Sequence, residues 1–389
     1  MISSHHETGY AIHINEVLNT LRKDGYDVEV YIEGDKSYVS TVKNPIKSNK
    51  GMIERLRPYF PMILKNSIRE IISFYKIKKQ KKQIEEKIQL VKPDVIYERQ
   101  AYANSNVAKL CNKYKIPLIL ESNCPLVEEA RTFNRTGIFH LLNQKDEKYT
   151  LETATSVLSV STALKNYYIE IYGINSEKII VIPNAVNDSW FKDYKPTETH
   201  NKEKESLTVG FIGSFIKWHG IDNLVDVGME LLTNTDVNIE ILLVGDGEER
   251  VNLENKVKSL NLEDSFKFTG VVNHKEIPNY IEKMDICVMP SSNWYGSPLK
   301  IFEYGALGKP IIAPKTDPVI EVMEDRVDGY LVGNKHELKS AIIEIISDYE
   351  QAKVIGNKFR EKITKNYTWD KVGKKIGELI TQIVEKGPI

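Results

Sequence analysis

Residues 286–314 read ICVMPSSNWYGSPLKIFEYGALGKPIIAP. The apolar run 286–289, closed by Pro290, is the pattern of a short buried strand. A polar loop follows and breaks at Gly296. Ser297 and Pro298 then open a helix, with Ser as N-cap and Pro at the first helical position. Gly308-Lys309-Pro310 ends that helix before a second apolar run, 311–313. Strand, loop, helix, strand is a Rossmann-type unit. Its helix start, around Ser297, Leu299 and Lys300, offers backbone N–H groups at a positive helix end, which suits an anion such as a phosphate. Glu303, about two turns in, can accept hydrogen bonds from the hydroxyls of a sugar. The same residues also fit a plain helix cap with a solvated Glu.

A chain of 389 residues with 41% hydrophobic content fits two or three globular domains. The net charge of −1 points to no class of partner. Cys111, Cys124 and Cys287 form neither a zinc spacing nor an even disulfide framework, so a reducing cytoplasm is the default. No apolar run approaches the ~18 residues that span a bilayer, and the opening residues are polar, unlike a signal peptide. Asp-x-Asp occurs nowhere, and no metal-ligand cluster stands out.

From the amino end, HHETGY reads as a loop ending at Gly9, after at most the tail of a strand at residues 1–3. Residues 10–21 read as a helix and 28–32 as a second strand. Residues 43–83 carry twelve Lys/Arg against two acids, Glu54 and Glu70, interleaved with bulky apolar side chains. That mixture fits an interfacial segment on anionic lipid. It also fits an ordinary helical pair with a solvated basic face, and no nucleic-acid motif accompanies it. Residues 95–97 and 117–121 read as strands, with a helix over 103–114 between them. Ligands gather beyond the carboxyl ends of strands in open α/β sheets, which places Glu121 and Asn123 well for a substrate. A polar turn is the equal alternative. Residues 156–161 and 178–182 are further strands.

Residues 192–206 are polar and charged, the composition of a linker. The expected division is therefore 1–191 for one domain, joined by a returning helix at 370–389, and 206–369 for the other. A new α/β run opens with the strand 207–213, the loop 214–220 and the helix 221–232. The strand 239–244, the edge strand 266–272 and the apolar stripe of the last helix complete it.

The run SPLKIFEYGALGKPIIA is similar to the signature of the retaining glycosyltransferases of family 4. The resemblance implies the GT-B fold: two Rossmann-like domains facing each other across a cleft, with a C-terminal helix crossing back to the first. In that family two Glu residues are separated by seven positions. The second, on the nucleotide ribose, matches Glu303; the first, facing the sugar, falls on Tyr295. Gly9 matches the loop that approaches the donor phosphates. In the strand-loop of 207–220, which includes Gly213, the family's Arg and Lys on the pyrophosphate become Ser214 and His219. The resemblance therefore leaves Lys217, or a His219 imidazolium, to supply positive charge. Backbone near Val272 would read the base. Asn123 falls where many members carry a His near the reacting sugar, and an Asn keeps only a hydrogen-bonding role. The implied reaction moves a sugar with retention from a nucleoside-diphosphate sugar (UDP or GDP) to a glycan, lipid-linked or small-molecule acceptor, without metal or other cofactor.

Two other classes stay open. A sugar-nucleotide epimerase on the same fold would need acid/base groups, for which His5, His6, His13 and Glu121 are available. A non-catalytic nucleotide-binding partner of a transferase fits the replacements at Tyr295, Ser214 and Asn123.

Overall fold

The computed structural model describes residues 9–31, 61–192 and 206–386, with backbone alone for 9–13. The expected opening strand and glycine loop before Gly9, residues 43–60 of the basic segment and nearly all of the linker lie outside the described residues.

The chain forms two compact units. One contains residues 27–159, 164–181 and the segment from 378; the other contains residues up to 26, 160–163 and 182–377. In the first, β1 (Ile96–Arg99), β2 (Leu118–Ser122), β3 (Ser156–Ser159) and β4 (Ile179–Val181) form a parallel sheet in that order. β2 and β3 are buried throughout, as strands covered on both faces must be. Around them lie helices Met62–Val91, Asn106–Tyr114, Leu126–Thr132, His140–Thr153 and Thr162–Tyr172.

The other unit holds β5 (Leu207–Ile212), β6 (Ile239–Val244), β7 (Phe266–Phe268), β8 (Ile286–Val288), β9 (Ile311–Pro314) and β10 (Tyr330–Val332). They are parallel in the order β10-β9-β8-β5-β6-β7. Alternate residues feed two cores. Val209, Phe211, Ile241, Leu243, Ile286 and Val288 enter one; Ile212, Leu242, Val244, Cys287 and Met289 enter the other. That is the period of two expected of a sheet packed on both faces. The chain runs outward one way through β5, β6 and β7, then restarts at β8 and runs out the other way. Between β5 and β8 the order therefore reverses, and the carboxyl ends of the two strands frame the crevice where such sheets take ligands.

Three expectations need correction. Of the strand expected at 28–32, residues 28–31 join neither sheet formed by the described residues, and Val30 and Tyr31 stand exposed. The helix expected from 103 starts at Asn106, because Ala103 sits at φ +54°. The edge strand expected to reach Val272 ends at Phe268, and Val272 follows in a loop. The helices Gly9–Lys23 and Trp369–Glu385 pack together: Tyr26 Oη donates to the Gly377 carbonyl at 2.8 Å. A Cβ on Gly373 would stand 2.4 Å from Thr20 Cβ.

Candidate functional site

The reversal point is built from two glycines. Gly213 ends β5 at φ +148° and donates its N–H to the Val244 carbonyl at 2.9 Å. A Cβ there would lie 2.6 Å from Lys300 Cε, so the absence of a side chain lets Lys300 lie across the strand end. Gly245, beyond β6 at φ +137°, approaches so closely that a Cβ would meet the Gly213 carbonyl oxygen at 2.0 Å.

After β8 the chain passes Tyr295, Gly296 and Ser297 and enters the helix Leu299–Ala306. Tyr295 is buried, its ring edge-on to Trp294 at 5.1 Å, and its carbonyl accepts from Ser161 Oγ at 2.6 Å. Ser297 does not cap the helix as expected. It is buried, its Oγ accepts the Asn184 N–H at 3.0 Å, and its carbonyl accepts Asn184 Nδ2 at 2.6 Å. The cap position falls on Pro298, and no side chain caps the helix. The N–H groups of the first turn, around Leu299 and Lys300, thus lack a side-chain acceptor, the condition under which an anion binds a helix start.

Lys300 reaches back from that first turn over the Phe211 ring, 5.5 Å from its centroid. Its Nζ stands 3.4 Å from His219 Nε2. Burial pushes its pKa down to about 8, against the pull of Glu303. His219 Nδ1 lies 2.6 Å from the Ser214 carbonyl. A carbonyl only accepts, so Nδ1 carries the proton and Nε2 turns its lone pair to Lys300. Burial, then the Lys300 charge, pushes the His219 pKa down to about 4. The imidazolium considered from sequence is therefore absent at neutral pH; the ring is a neutral support for the ammonium. Lys217 is exposed in the turn Lys217–His219, with no ion-pair partner among the described residues. Ser214 is exposed beside it.

One turn beyond Lys300, Glu303 Oε1 lies 3.6 Å from His274 Nε2, both side chains mostly buried. His274 is set by a capping box of Asn273 and Glu276 and packs against Trp190, ring centroids 5.3 Å apart. Val272 is partly buried on the same core as the helix of Glu303. Tyr304, fully buried, accepts the Ile212 N–H at 2.9 Å and fastens this helix to the end of β5. Gly213, Ser214, His219, Lys300 and Glu303 therefore gather around one reversal point, whereas Gly9 opens the helix Gly9–Lys23 and Asn123 belongs to the other unit. Sequence reading missed His274, Trp190 and Asn184. A His two residues after the edge segment 266–272 was the available signal for the first, and for Asn184 the run Pro183-Asn184-Ala185-Val186-Asn187, which resembles the family's Pro-Asn-Gly-Val-Asp strand ending; nothing local marks Trp190.

In the other unit, Asn123 follows β2. Its Nδ2 donates to Glu121 Oε1 at 2.5 Å, while Tyr97 Oη donates to Glu121 Oε2 at 2.5 Å and Arg99 Nη1 lies 3.2 Å from Oε1. Glu121, expected to face substrate, is buried within this cluster.

Two family models match the chain, Glycosyltransferase Family 4 over residues 8–190 and Glycosyl transferases group 1 over residues 195–362. An uncharacterized glycosyltransferase of Methanocaldococcus jannaschii is 24% identical over 394 residues, 97% of this chain and 96% of that protein. Among solved structures, sucrose-phosphate synthase from Thermosynechococcus elongatus has a TM-score of 0.74 at 20% identity, over 98% of this chain and 94% of its own. Anabaena HepE in complex with UDP has a TM-score of 0.65 at 21% identity, over 79% and 82%. The chain belongs to glycosyltransferase family 4: it is a group 1 transferase, built on the two Rossmann-like domains of the GT-B fold, that uses a nucleotide-sugar donor.

Proposed function

We propose that this transferase grips the donor diphosphate at the start of the helix Leu299–Ala306 and transfers the sugar with retention, without a metal. The observation that carries the reading is the uncapped helix start with the Lys300 ammonium across Gly213 and a neutral His219 behind it. As the glycosidic bond loosens, negative charge grows on the leaving diphosphate. Fixed N–H dipoles and a cation already in place stabilise that charge without reorganising. Lys217, exposed in the same loop, is the second cation we assign to turnover; Gly9 and Ser214 complete the phosphate surroundings. Glu303 accepts from the ribose hydroxyls, with His274 steadying its carboxylate. Backbone near Val272 reads the base, for which uridine is the first candidate, since HepE is a UDP complex. Tyr295 stands where the family signature has its sugar-facing Glu.

The acceptor we propose is a lipid-linked glycan met at an anionic membrane. Support comes from the helix Met62–Val91, whose first half is inverted. Asn66, Ser67 and Glu70 are its buried residues, satisfied by the loop before and the start of the helix His140–Thr153. Met62, Ile63, Leu64, Ile68, Ile71, Ile72 and Tyr75 are exposed. Arg69, Lys76, Lys78 and Lys79 are exposed on the same helix. An apolar surface edged by cations suits anionic lipid.

A turnover assay with UDP- and GDP-sugars tests the catalytic reading. Slow release of nucleoside diphosphate with no change in the sugar supports a transferase. Interconversion of sugars would mark an epimerase, and binding without turnover would mark a non-catalytic partner.

A further inference from the structure

Alternation along β2 and the residue beyond it sets Glu121 and Asn123 on one face and Ser122 on the other. Ser122 Oγ pairs with Tyr168 Oη at 2.5 Å on that opposite face. Parallel register sets Arg99 directly beside Glu121. Glu121 is only 4% exposed, and its carboxylate accepts from Tyr97 Oη and Asn123 Nδ2 and lies at ion-pair distance from the Arg99 guanidinium. A buried carboxylate beside a guanidinium stays an acceptor. The amide of Asn123 has two faces, an NH₂ that donates and an oxygen that accepts. Beside Glu121 only the NH₂ can turn inward. Asn123 Oδ1 is therefore the atom left to turn outward, and it is bonded by none of the described residues. Asn123 itself is half-buried, and its unbonded Oδ1 is not one of the buried polar atoms left without a partner, so it keeps contact with solvent.

We propose that Glu121 is a positioning residue that locks the Asn123 amide with its oxygen outward, so that Asn123 acts only as an acceptor, for a substrate hydroxyl. Tyr97 and Arg99 hold Glu121 in turn. The partner of Asn123 is thereby defined chemically as a hydrogen-bond donor, a sugar hydroxyl or an N-acyl N–H; a bare ether or carboxylate oxygen is excluded. The inference rests on the reading of Asn123 as a substrate-contacting residue.

The test is a reciprocal swap, read in the full chain with a UDP- or GDP-sugar that supports turnover. Glu121→Gln alone removes the acceptor-only constraint and frees the Asn123 amide to flip. Its kcat is expected to fall about tenfold or more, with the nucleoside diphosphate Kd unchanged. In the double variant Glu121→Gln/Asn123→Asp, the Gln amide donates inward to the new carboxylate, which presents an oxygen outward. Recovery of most of the kcat supports the proposal, because a carboxylate cannot replace an outward NH₂. Failure of the swap with Asn123→Ala impaired and all variants folded by thermal unfolding overturns it, as does wild-type kcat in Glu121→Gln. Wild-type kcat in Asn123→Ala would instead sink the underlying reading of Asn123, and this proposal with it.

Discussion

At the scale of single residues, Lys300 and His219 show that burial decides which basic group carries charge. Both are driven toward their neutral forms. The lysine begins from a much higher ordinary pKa, so at neutral pH it keeps its proton and the histidine does not. The sequence named both residues and Glu303, yet pointed to His219 and Lys217 for charge, because burial is not written in residue type. A consequence is testable. Lys300 has a folded pKa near 8, below the ordinary lysine value, so its charge is present below pH 8 and lost as pH rises through it. Affinity for a nucleoside diphosphate is therefore expected to fall about tenfold between pH 7.5 and 9.5. The last phosphate proton leaves near pH 6, so the phosphate adds no charge in that window, and the same titration in a Lys300→Arg chain controls for ionisation of the base N–H at its upper end. Lys300→Arg should flatten the profile. A wild-type profile already flat would remove Lys300 from the phosphate.

Among the elements, the strands were the most legible. Residues 207–213, 239–244 and 286–289 are apolar runs too short for helices and bounded by Gly or Pro, and each becomes a strand of the six-stranded sheet. The uncapped helix start was less legible. Ser-Pro reads as a cap by composition, but the Ser297 hydroxyl is taken by Asn184, more than a hundred positions earlier in the chain. The helix Met62–Val91 was the least legible, because its mixture of basic and apolar residues fits an interfacial segment and an ordinary helical pair equally, and nothing local shows that Asn66, Ser67 and Glu70 turn inward. Glu70 accepts from Gly137 N, Phe139 N and Asn143 Nδ2, so that face is polar and satisfied. The apolar face left outside predicts sedimentation with vesicles rich in phosphatidylglycerol, weakened by raised salt and absent on phosphatidylcholine. Lys76, Lys78 and Lys79 changed together to Glu should cost at least tenfold in partitioning, since each exposed cation near such a surface contributes roughly 1 kcal/mol. Equal binding to both vesicle types, or no effect of the charge reversal, would mean another partner covers this face.

On the scale of the whole molecule, the chain resolves into two parallel-sheet units, and the larger carries the strand reversal. The fold and family were legible because the signature around Glu303 and the apolar strands are local patterns. The acceptor was not, because the family resemblance is poor across residues 33–90, the region that would hold it, and residues 33–60 lie outside the described residues. The central claim concerns the larger unit alone: the crevice between β5 and β8 grips a nucleoside diphosphate, with Glu303 on its ribose. Thermal unfolding with and without UDP and GDP, in the wild-type chain and in Glu303→Ala, tests it most directly. Glu303 is mostly buried beside His274 but outside the apolar core, so the variant should fold, and each protein's shift is read from its own baseline Tm. Ligand at about a hundred times its Kd adds roughly 2.7 kcal/mol to stability, so one of the two nucleotides should raise the wild-type Tm by several degrees. The account predicts that this rise disappears in Glu303→Ala; an equal rise in both proteins, or none in the wild type with either nucleotide, would contradict it.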